Sequence, residues 1–398
     1  MTSLAVLDAA DVAGVTSALE AALKGSGPAV LVRDARAARL SGEGADPLTD
    51  IELPTGTALL IQTSGSTGTP KMVLLSVNAL RASSTAVTER LGGPGQWLLA
   101  LPLSYIAGLS VLVRSAAAGI APAFLPSGPF DARGFIDGVA KMTGDRRYTS
   151  LVPVQLIRVL ELCENNDAAA RIAQSLDAIL IGGQMLEPEL RLRAQRVGLS
   201  VVETYGSSET SGGCVYDGLP LRDVAVAIGE DGEVLIAGPS LASGYLDEQL
   251  TAEKFVQHDG TRWYRTGDAG SVDGGRVTVS GRMDRVIISG GLKVSLDAVA
   301  DAARTVPGIE QVFAVNIPDS EWGERPAVIA QVNTGFFAEE ARNSEGENSV
   351  YAAVYDAVEA ELGRVAAPKR VVTVEHIPLL ESGKPDYVTM RSLAARDA

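Results

Sequence analysis

The chain has 398 residues, 46% of them hydrophobic and 21% charged, the composition of an ordered globular protein long enough for two domains. A formal net charge of −15 argues against nucleic acid or an anionic membrane as the main partner, so an anionic ligand needs locally placed cations. Two cysteines (Cys163, Cys214) and two histidines (His258, His376) are too few for a disulfide framework or a clustered zinc site.

The opening residues, MTSLAVLDAADVAG, lack the basic start of a signal peptide, and no apolar run reaches about 18 residues. The expectation is a soluble, cytoplasmic protein with no membrane insertion. Along the chain, short apolar runs read as buried strands: PAVLV at 28–32, ALLIQT at 58–63, WLLAL at 97–101, AILIGG at 178–183 and SVVETY at 200–205. Helical patterns fall between several of them. PVQLIRVLELC at 153–163 places Val154, Ile157 and Leu160–Leu162 on one stripe. EPELRLRAQRVG has Pro188 near its start and Gly198 just past its end. Such alternation predicts α/β layers.

After GRMDR at 281–285 the texture changes. QVFAVNIP at 311–318 and AVIAQVN at 327–333 read as strands, and NTGFFAEEARNSEGENS reads as a mobile loop. YAAVYDAVEAELGRV then places Tyr351, Val354, Tyr355, Val358 and Leu362 on one helical face, and RVVTVEHIP is a last strand. The expected fold is α/β: a large amino-terminal domain of layered sheets and helices, residues 1–283, and a small mobile α+β domain, residues 284–398.

One loop carries chemistry. TSGSTGTPK, Thr63 to Lys71, is bracketed by apolar runs, holds five hydroxyl side chains within seven residues and ends in a lysine. Glycines let a backbone wrap closely around a ligand, and N–H groups and hydroxyls can bond phosphate oxygens. It is not a Walker A loop, because the second glycine of G-x-x-x-x-G-K falls on Pro70 and the following MVLLS reads as a strand rather than a helix.

This loop resembles the phosphate loop of the acyl-adenylate-forming enzymes. Further motifs follow in that family's order: IGGQMLEPEL (181–190), YGSSET (205–210), YRTGD (264–268), GRMDRVIISGGLKVS (281–295) and ESGKPDY (381–387). The resemblance spans residues 58 to 387. It implies that Thr63, Ser64, Gly65, Ser66, Thr67, Gly68 and Lys71 cradle the ATP phosphates, that Gly182 and Gly183 lie beside the adenine, and that Tyr205 stacks on it. Gly206, Ser207 and Ser208 would meet phosphate, Glu209 would hold Mg²⁺, and Asp268 with Arg282 would bind the ribose. Asp284 is then the hinge, Gly290, Gly291 and Lys293 are CoA-contact candidates, and Lys384 is the mobile catalytic lysine. The cofactors implied are ATP, Mg²⁺ and CoA as co-substrate. The partners are small molecules, and a homodimer is compatible with this pattern.

LALPLSYIAGLSVLVRS at 99–115, and the 62 residues that precede the phosphate loop, are similar to o-succinylbenzoate–CoA ligases of menaquinone synthesis. Tyr105 stands where the family pattern L-P-L-x-H-x-x-G has histidine, so the polarity of the acyl pocket departs from that pattern. A second carboxylate on the acid calls for a cation or several polar donors, and Ser104, Tyr105, Gly108 and Arg114 are the candidates by position. Other expectations open to the sequence are another acyl- or aryl-CoA ligase, an enzyme that loads a carrier protein, and a non-catalytic acyl-AMP-binding protein.

Overall fold

A computed structural model describes residues 1–34, 51–63, 71–126, 128–332, 346–379 and 385–395. The chain forms two compact units. The first comprises residues 1–227, 235–266 and 272–277, and the second comprises 228–234, 267–271 and 278–398.

The first unit contains two sheets that position candidate residues. In the five-stranded sheet the order is Leu4–Asp8, Ala29–Arg33, Thr57–Thr63, Lys71–Ser76, Gly244–Tyr245. The first three strands run parallel; Thr57–Thr63 and Lys71–Ser76 are antiparallel, with Thr63 opposite Lys71. In the seven-stranded sheet the order is Leu219–Pro220, Gly212–Tyr216, Val201–Ser207, Ala178–Ile181, Arg147–Leu151, Gln96–Leu99, Ala123–Phe124. Its strands are parallel from Val201–Ser207 outward, and the Gly212 edge is antiparallel. Parallel strands are buried on both faces, which is why AILI and TSL read as unbroken apolar or small runs.

Helices Ala132–Ala140, Pro153–Glu164, Asp167–Ala173 and Pro188–Val197 cover this sheet around Phe135, Leu156, Val159, Leu160, Cys163 and Leu190. The stripe expected on 153–163 is displaced. Leu156, Val159, Leu160 and Cys163 face the core, while Val154, Ile157 and Leu162 are half-buried at its margins. The neighbouring helices wrap that side, so the buried arc is wider than an isolated pattern indicates. Pro188 does open its helix, and Gly198 closes it in the left-handed region.

The second unit holds the antiparallel strands Ile309–Asp319 and Gly323–Val332, the hairpin Val286–Ser289 with Leu292–Ser295, and the parallel strand Arg370–Val374. Helices Leu296–Arg304 and Gly346–Leu362 pack around Val299, Val312, Val328, Val354 and Val358. The helix begins at Gly346, so the last residues of the segment expected to be a loop are helical. Residues 333–345 lie outside the described residues. Arg370–Val374 is shorter than RVVTVEHIP suggested, and Leu4–Asp8 with helix Val12–Leu23 was not legible in the sequence.

Cys163 and Cys214 are free and buried. Burial pushes the Cys163 thiol up to about 11 and the Cys214 thiol up to about 12. A thiol whose pKa is raised in the fold contributes stability that is complete below its ordinary value near 9 and is lost as the pH climbs towards 11. Wild-type protein should therefore lose more stability between pH 9 and 11 than a Cys163→Ala/Cys214→Ala variant, as read from urea midpoints; parallel curves would contradict this.

Candidate active site

Strand ends bring the first unit's candidates together. Ala178–Ile181 stops immediately before Gly182, and Val201–Ser207 carries Tyr205, Gly206 and Ser207 at its carboxyl end. Ligands of parallel α/β sheets collect at such ends. A side chain at Gly182 would meet Thr204 Oγ1 at 2.6 Å, so only glycine fits there. Tyr205 is half-buried and pairs with Val215 across the antiparallel edge. Gly206 is opposite Gly213; a Cβ on it would lie 2.2 Å from the Gly212 carbonyl oxygen.

Beyond Ser207 the chain makes a single 3₁₀ turn, Ser208–Thr210, and Ser211 then adopts a left-handed φ of 58°. Bonds from several segments hold this turn. Ser83 Oγ donates to the Ser211 carbonyl at 3.1 Å, Ser211 Oγ donates to the Ser240 carbonyl at 2.7 Å, and the Ala242 N–H donates to the Glu209 carbonyl at 2.7 Å. Glu209 is buried, and its Oε1 accepts a 2.7 Å hydrogen bond from the Tyr245 hydroxyl. Burial, and then the Glu209 charge, raises the Tyr245 pKa and keeps the phenol a donor. Tyr245 lies on the strand that pairs with Leu74 and Val73. The 3₁₀ turn packs against the Lys71–Ser76 strand as well, which brings Glu209 and the strand beginning at Lys71 into one neighbourhood. Thr63 Oγ1 approaches the Lys71 carbonyl at 3.4 Å. Ser64, Gly65, Ser66, Thr67, Gly68 and Lys384 lie outside the described residues.

A different part of the same unit holds the acyl-pocket candidates. Tyr105 is the N-cap of helix Ile106–Ala118, with no side-chain capping bond. Gly108 packs so closely on the preceding loop that a Cβ would lie 2.2 Å from the Pro102 carbonyl oxygen. Arg114 is nine residues beyond Tyr105, roughly 13 Å along the helix axis, so Ser104 and Tyr105 do not cluster with it. The residue is 5% exposed, and its guanidinium carbon lies 4.7 Å from the Trp97 ring centroid. Burial lowers its pKa, and among the described residues its titratable neighbour is the Tyr216 phenol, which burial keeps protonated, not a carboxylate.

In the second unit Arg282 Nη1 donates to Asp268 Oδ1 at 3.0 Å and Arg282 Nε to Asp284 Oδ1 at 3.2 Å. Burial opposes the Arg282 charge, but these two carboxylates hold its pKa above the ordinary arginine value. Gly267 N–H donates to the buried Glu233 at 2.7 Å, fixing the backbone beside Asp268. Asp297 accepts from the Arg282 N–H and the Arg285 side chain, and Arg285 stacks 3.9 Å over Tyr387. Gly290 and Gly291 form the turn of the 286–295 hairpin, where Lys293 is exposed along with Ile288 and Leu292.

Sequence reading missed Tyr245, Trp97 and Tyr216, whose roles come from partners distant in the chain. The signal for Tyr216 was the Gly212–Gly213 pair just upstream, since glycines inside a strand mark a close approach of other groups.

Residues 5–246 match the AMP-binding enzyme family, and residues 298–384 match the AMP-binding enzyme C-terminal domain. A protein of Mycobacterium tuberculosis (strain ATCC 25618 / H37Rv) named probable 2-succinylbenzoate–CoA ligase is 37% identical over 341 residues, covering 84% of this chain and 83% of that protein. A 2-succinylbenzoate–CoA ligase of Listeria innocua is 29% identical over 344 residues, covering 82% and 68%. Wild-type E. coli MenE, solved with a phenylether-linked analogue of OSB-AMS, shares the fold at TM-score 0.72, 24% identity and coverage of 98% of this chain and 88% of that one. The amide bond synthetase McbA of Marinactinospora thermotolerans superposes with TM-score 0.71 and 26% identity, covering 98% and 79%.

The Tyr245–Glu209 contact makes its own prediction. Tyr245→Phe leaves a buried carboxylate without its donor and should cost about 1.5–3 kcal/mol of stability, measured by urea unfolding. A cost below about 0.5 kcal/mol, the range of ordinary surface changes, would show that the bond does not hold the turn.

Proposed function

The chain belongs to the family of AMP-binding enzymes, and from that premise we propose that it is an ATP-dependent acid–CoA ligase that converts o-succinylbenzoate to o-succinylbenzoyl-CoA through an acyl-adenylate. The observation that carries the choice of acid is Arg114. Burying an ion costs several kcal/mol even after relaxation, whereas stacking on an aromatic ring returns about 0.5–2 kcal/mol. The Trp97 contact therefore does not offset the burial of this guanidinium, and no described carboxylate neutralises it. An anion brought by the substrate does. An acid with one carboxylate to activate and another to be recognised meets that requirement; a simple fatty acid or benzoate does not.

In the first half-reaction a carboxylate oxygen of the acid attacks the α-phosphorus of ATP, and the bond to the pyrophosphate oxygen breaks. Tyr205, on the strand Val201–Ser207, offers the flat face for the adenine, Gly182 and Gly183 border it, and Ser207 and Ser208, at the end of that strand and in the turn after it, bond phosphate oxygens. Lys71, Ser64–Gly68 and Thr63 cradle the departing phosphates. Asp268, with Arg282, binds the ribose hydroxyls. Glu209 fits a hard cation: its Oε1 is held by Tyr245, and Mg²⁺ takes one or two carboxylates with nucleotide oxygens for the rest. When bound, Mg²⁺ neutralises phosphate charge. Lys384 stabilises the charge that develops on the transferred oxygens, a role worth about 10²–10³ in rate for one preorganised donor.

In the second half-reaction the CoA thiol, losing its proton, attacks the acyl carbonyl and AMP departs. Asp284 is the hinge residue about which the second unit turns between the steps, and Gly290, Gly291 and Lys293 supply the candidate CoA contact.

Pyrophosphate release with ATP, Mg²⁺ and o-succinylbenzoate should be strong and CoA-accelerated, with benzoate and hexanoate inactive. Turnover only with a control acid would retain the ligase and discard this substrate. Arg114→Met should lower kcat/KM for o-succinylbenzoate by roughly 10²-fold, the effect of losing one partner of a buried charge pair. Lys384→Ala should cripple adenylation yet spare thioester formation from supplied acyl-adenylate; equal loss in both steps would remove the lysine from its role.

A further inference from the structure

Glu209 is held twice by the same short segment. The Ala242 N–H donates to its carbonyl at 2.7 Å, and the Tyr245 hydroxyl donates to its carboxylate Oε1 at 2.7 Å. Backbone and side chain of the candidate metal carboxylate therefore both take their positions from residues 242–245. The only strand in that segment is the two-residue Gly244–Tyr245. So short a piece does not fix itself, and two residues of the strand that begins at Thr261 brace it.

Arg262 Nη1 donates to the Ala242 carbonyl and Nη2 to the Ser243 carbonyl, both at 2.8 Å. A planar guanidinium fork across consecutive carbonyls sets the direction of the backbone between them. Two residues further on, the Tyr264 phenol is hydrogen-bonded to that of Tyr245. Tyr245 has one hydroxyl proton and gives it to Glu209, so Tyr264 is the donor in this second bond. Arg262 and Tyr264 share a face because side chains alternate along a strand. The neighbouring strand, Phe255–His258, puts Phe255 opposite Tyr264. Its ring centroid is 4.1 Å from Arg262 Cζ, 5.1 Å from the Tyr264 ring and 5.8 Å from the Tyr245 ring. All three aromatic residues are buried, and the whole set belongs to the first unit.

We infer that Arg262 and Tyr264 are positioning residues for the divalent cation of the first half-reaction, because through residues 242–245 they set where the Glu209 carboxylate stands. This rests on the assignment of Mg²⁺ to Glu209 and deepens it. Packing alone would be served by phenylalanine at position 264; the hydroxyl adds a bond to Tyr245 and through it reaches Glu209. A donor in such a chain polarises the next, so the bond from Tyr264 strengthens the one that Tyr245 gives to the carboxylate. A carboxylate already oriented by a hydrogen bond binds a metal better than one free to turn. Mg²⁺ is exacting in this respect, since it demands near-ideal octahedral geometry. Arg262 holds the backbone of the brace and Tyr264 its side chain.

The test uses the full chain and needs no turnover. Calorimetric titration gives the Kd of α,β-methylene-ATP with Mg²⁺ and with EDTA, and the Kd of AMP, in wild type, Tyr264→Phe, Arg262→Met and Arg262→Lys. Wild type should bind the analogue more tightly with Mg²⁺ than with EDTA. Tyr264→Phe keeps the ring stack and should remove about tenfold of that Mg²⁺-dependent gain, the lower end of what a hydrogen-bonding partner of a metal carboxylate contributes. Its Kd for AMP, and for the analogue in EDTA, should stay unchanged, which also shows that the variant is folded. Arg262→Met should lose the gain in the same selective way, and Arg262→Lys, which keeps the charge and a donor, should recover part of it. Equal weakening of AMP and of the analogue under both conditions would make these packing residues. An undiminished Mg²⁺-dependent gain in the variants, or none in wild type, would overturn the inference. Failure of the ligase reading appears separately, as absence of pyrophosphate release with every acid from a wild type that shows the gain.

Discussion

The structure of the first unit depends on how the turn after Val201–Ser207 is held. Serine, backbone and phenol groups from the segments around residues 83, 240, 242 and 245 all bond it. The turn ends the strand that carries Tyr205 and begins the strand that carries Tyr216, while Tyr245 belongs to the other sheet, beside the Lys71–Ser76 strand. One short irregular segment therefore registers two sheets against each other. A buried carboxylate at its centre is tolerable because a donor is fixed on it, and the same donor orients it. If the turn relaxed, the phosphate-side lysine, the candidate metal carboxylate and the acyl-side cluster would lose their common reference.

That arrangement places two electrostatic demands on neighbouring strands. On one side a carboxylate, Glu209, is held by a phenol; on the other a guanidinium, Arg114, is buried beside a phenol with no described acid to neutralise it. The first is internally satisfied and can act on a cation through its remaining capacity. On the proposed reading, the second is satisfied by the anion that the substrate brings. A protein with a net charge of −15 repels anions in general, so the proposed function assigns the selection of one to this desolvated cation. Desolvation makes that cation costly in the empty protein and effective in the complex.

The second unit is organised by alternating charges in series. Asp268, Arg282 and Asp284 form one linked set, and Asp297 joins the Arg282 backbone to Arg285, which in turn covers Tyr387. The ribose-motif residues, the proposed hinge and the start of the tail helix thereby share one network. Such a network resists small distortions and reorganises as a set, a property suited to a unit that serves two half-reactions.

Much of this was legible in the amino-acid order. Short apolar runs separated by helical periods specify α/β layers, since both periods follow from local backbone geometry. The motif residues are contiguous, so Tyr205 to Glu209 and Gly182–Gly183 could be recognised without knowing what surrounds them. Other features depend on chain segments far apart. The core face of Pro153–Glu164 was displaced because neighbouring helices, not its own pattern, define what is buried. Arg114 was a candidate by position alone, and only the packing around it, with Trp97 under its guanidinium, decides that it is buried. Tyr245 carries no local sign of its role, because its hydrogen bond to Glu209 is a property of two elements meeting. The order of residues determined the layers, the nucleotide motifs and the class of chemistry. Tertiary packing alone decided which charges lose their water and which of those are left for a ligand to neutralise.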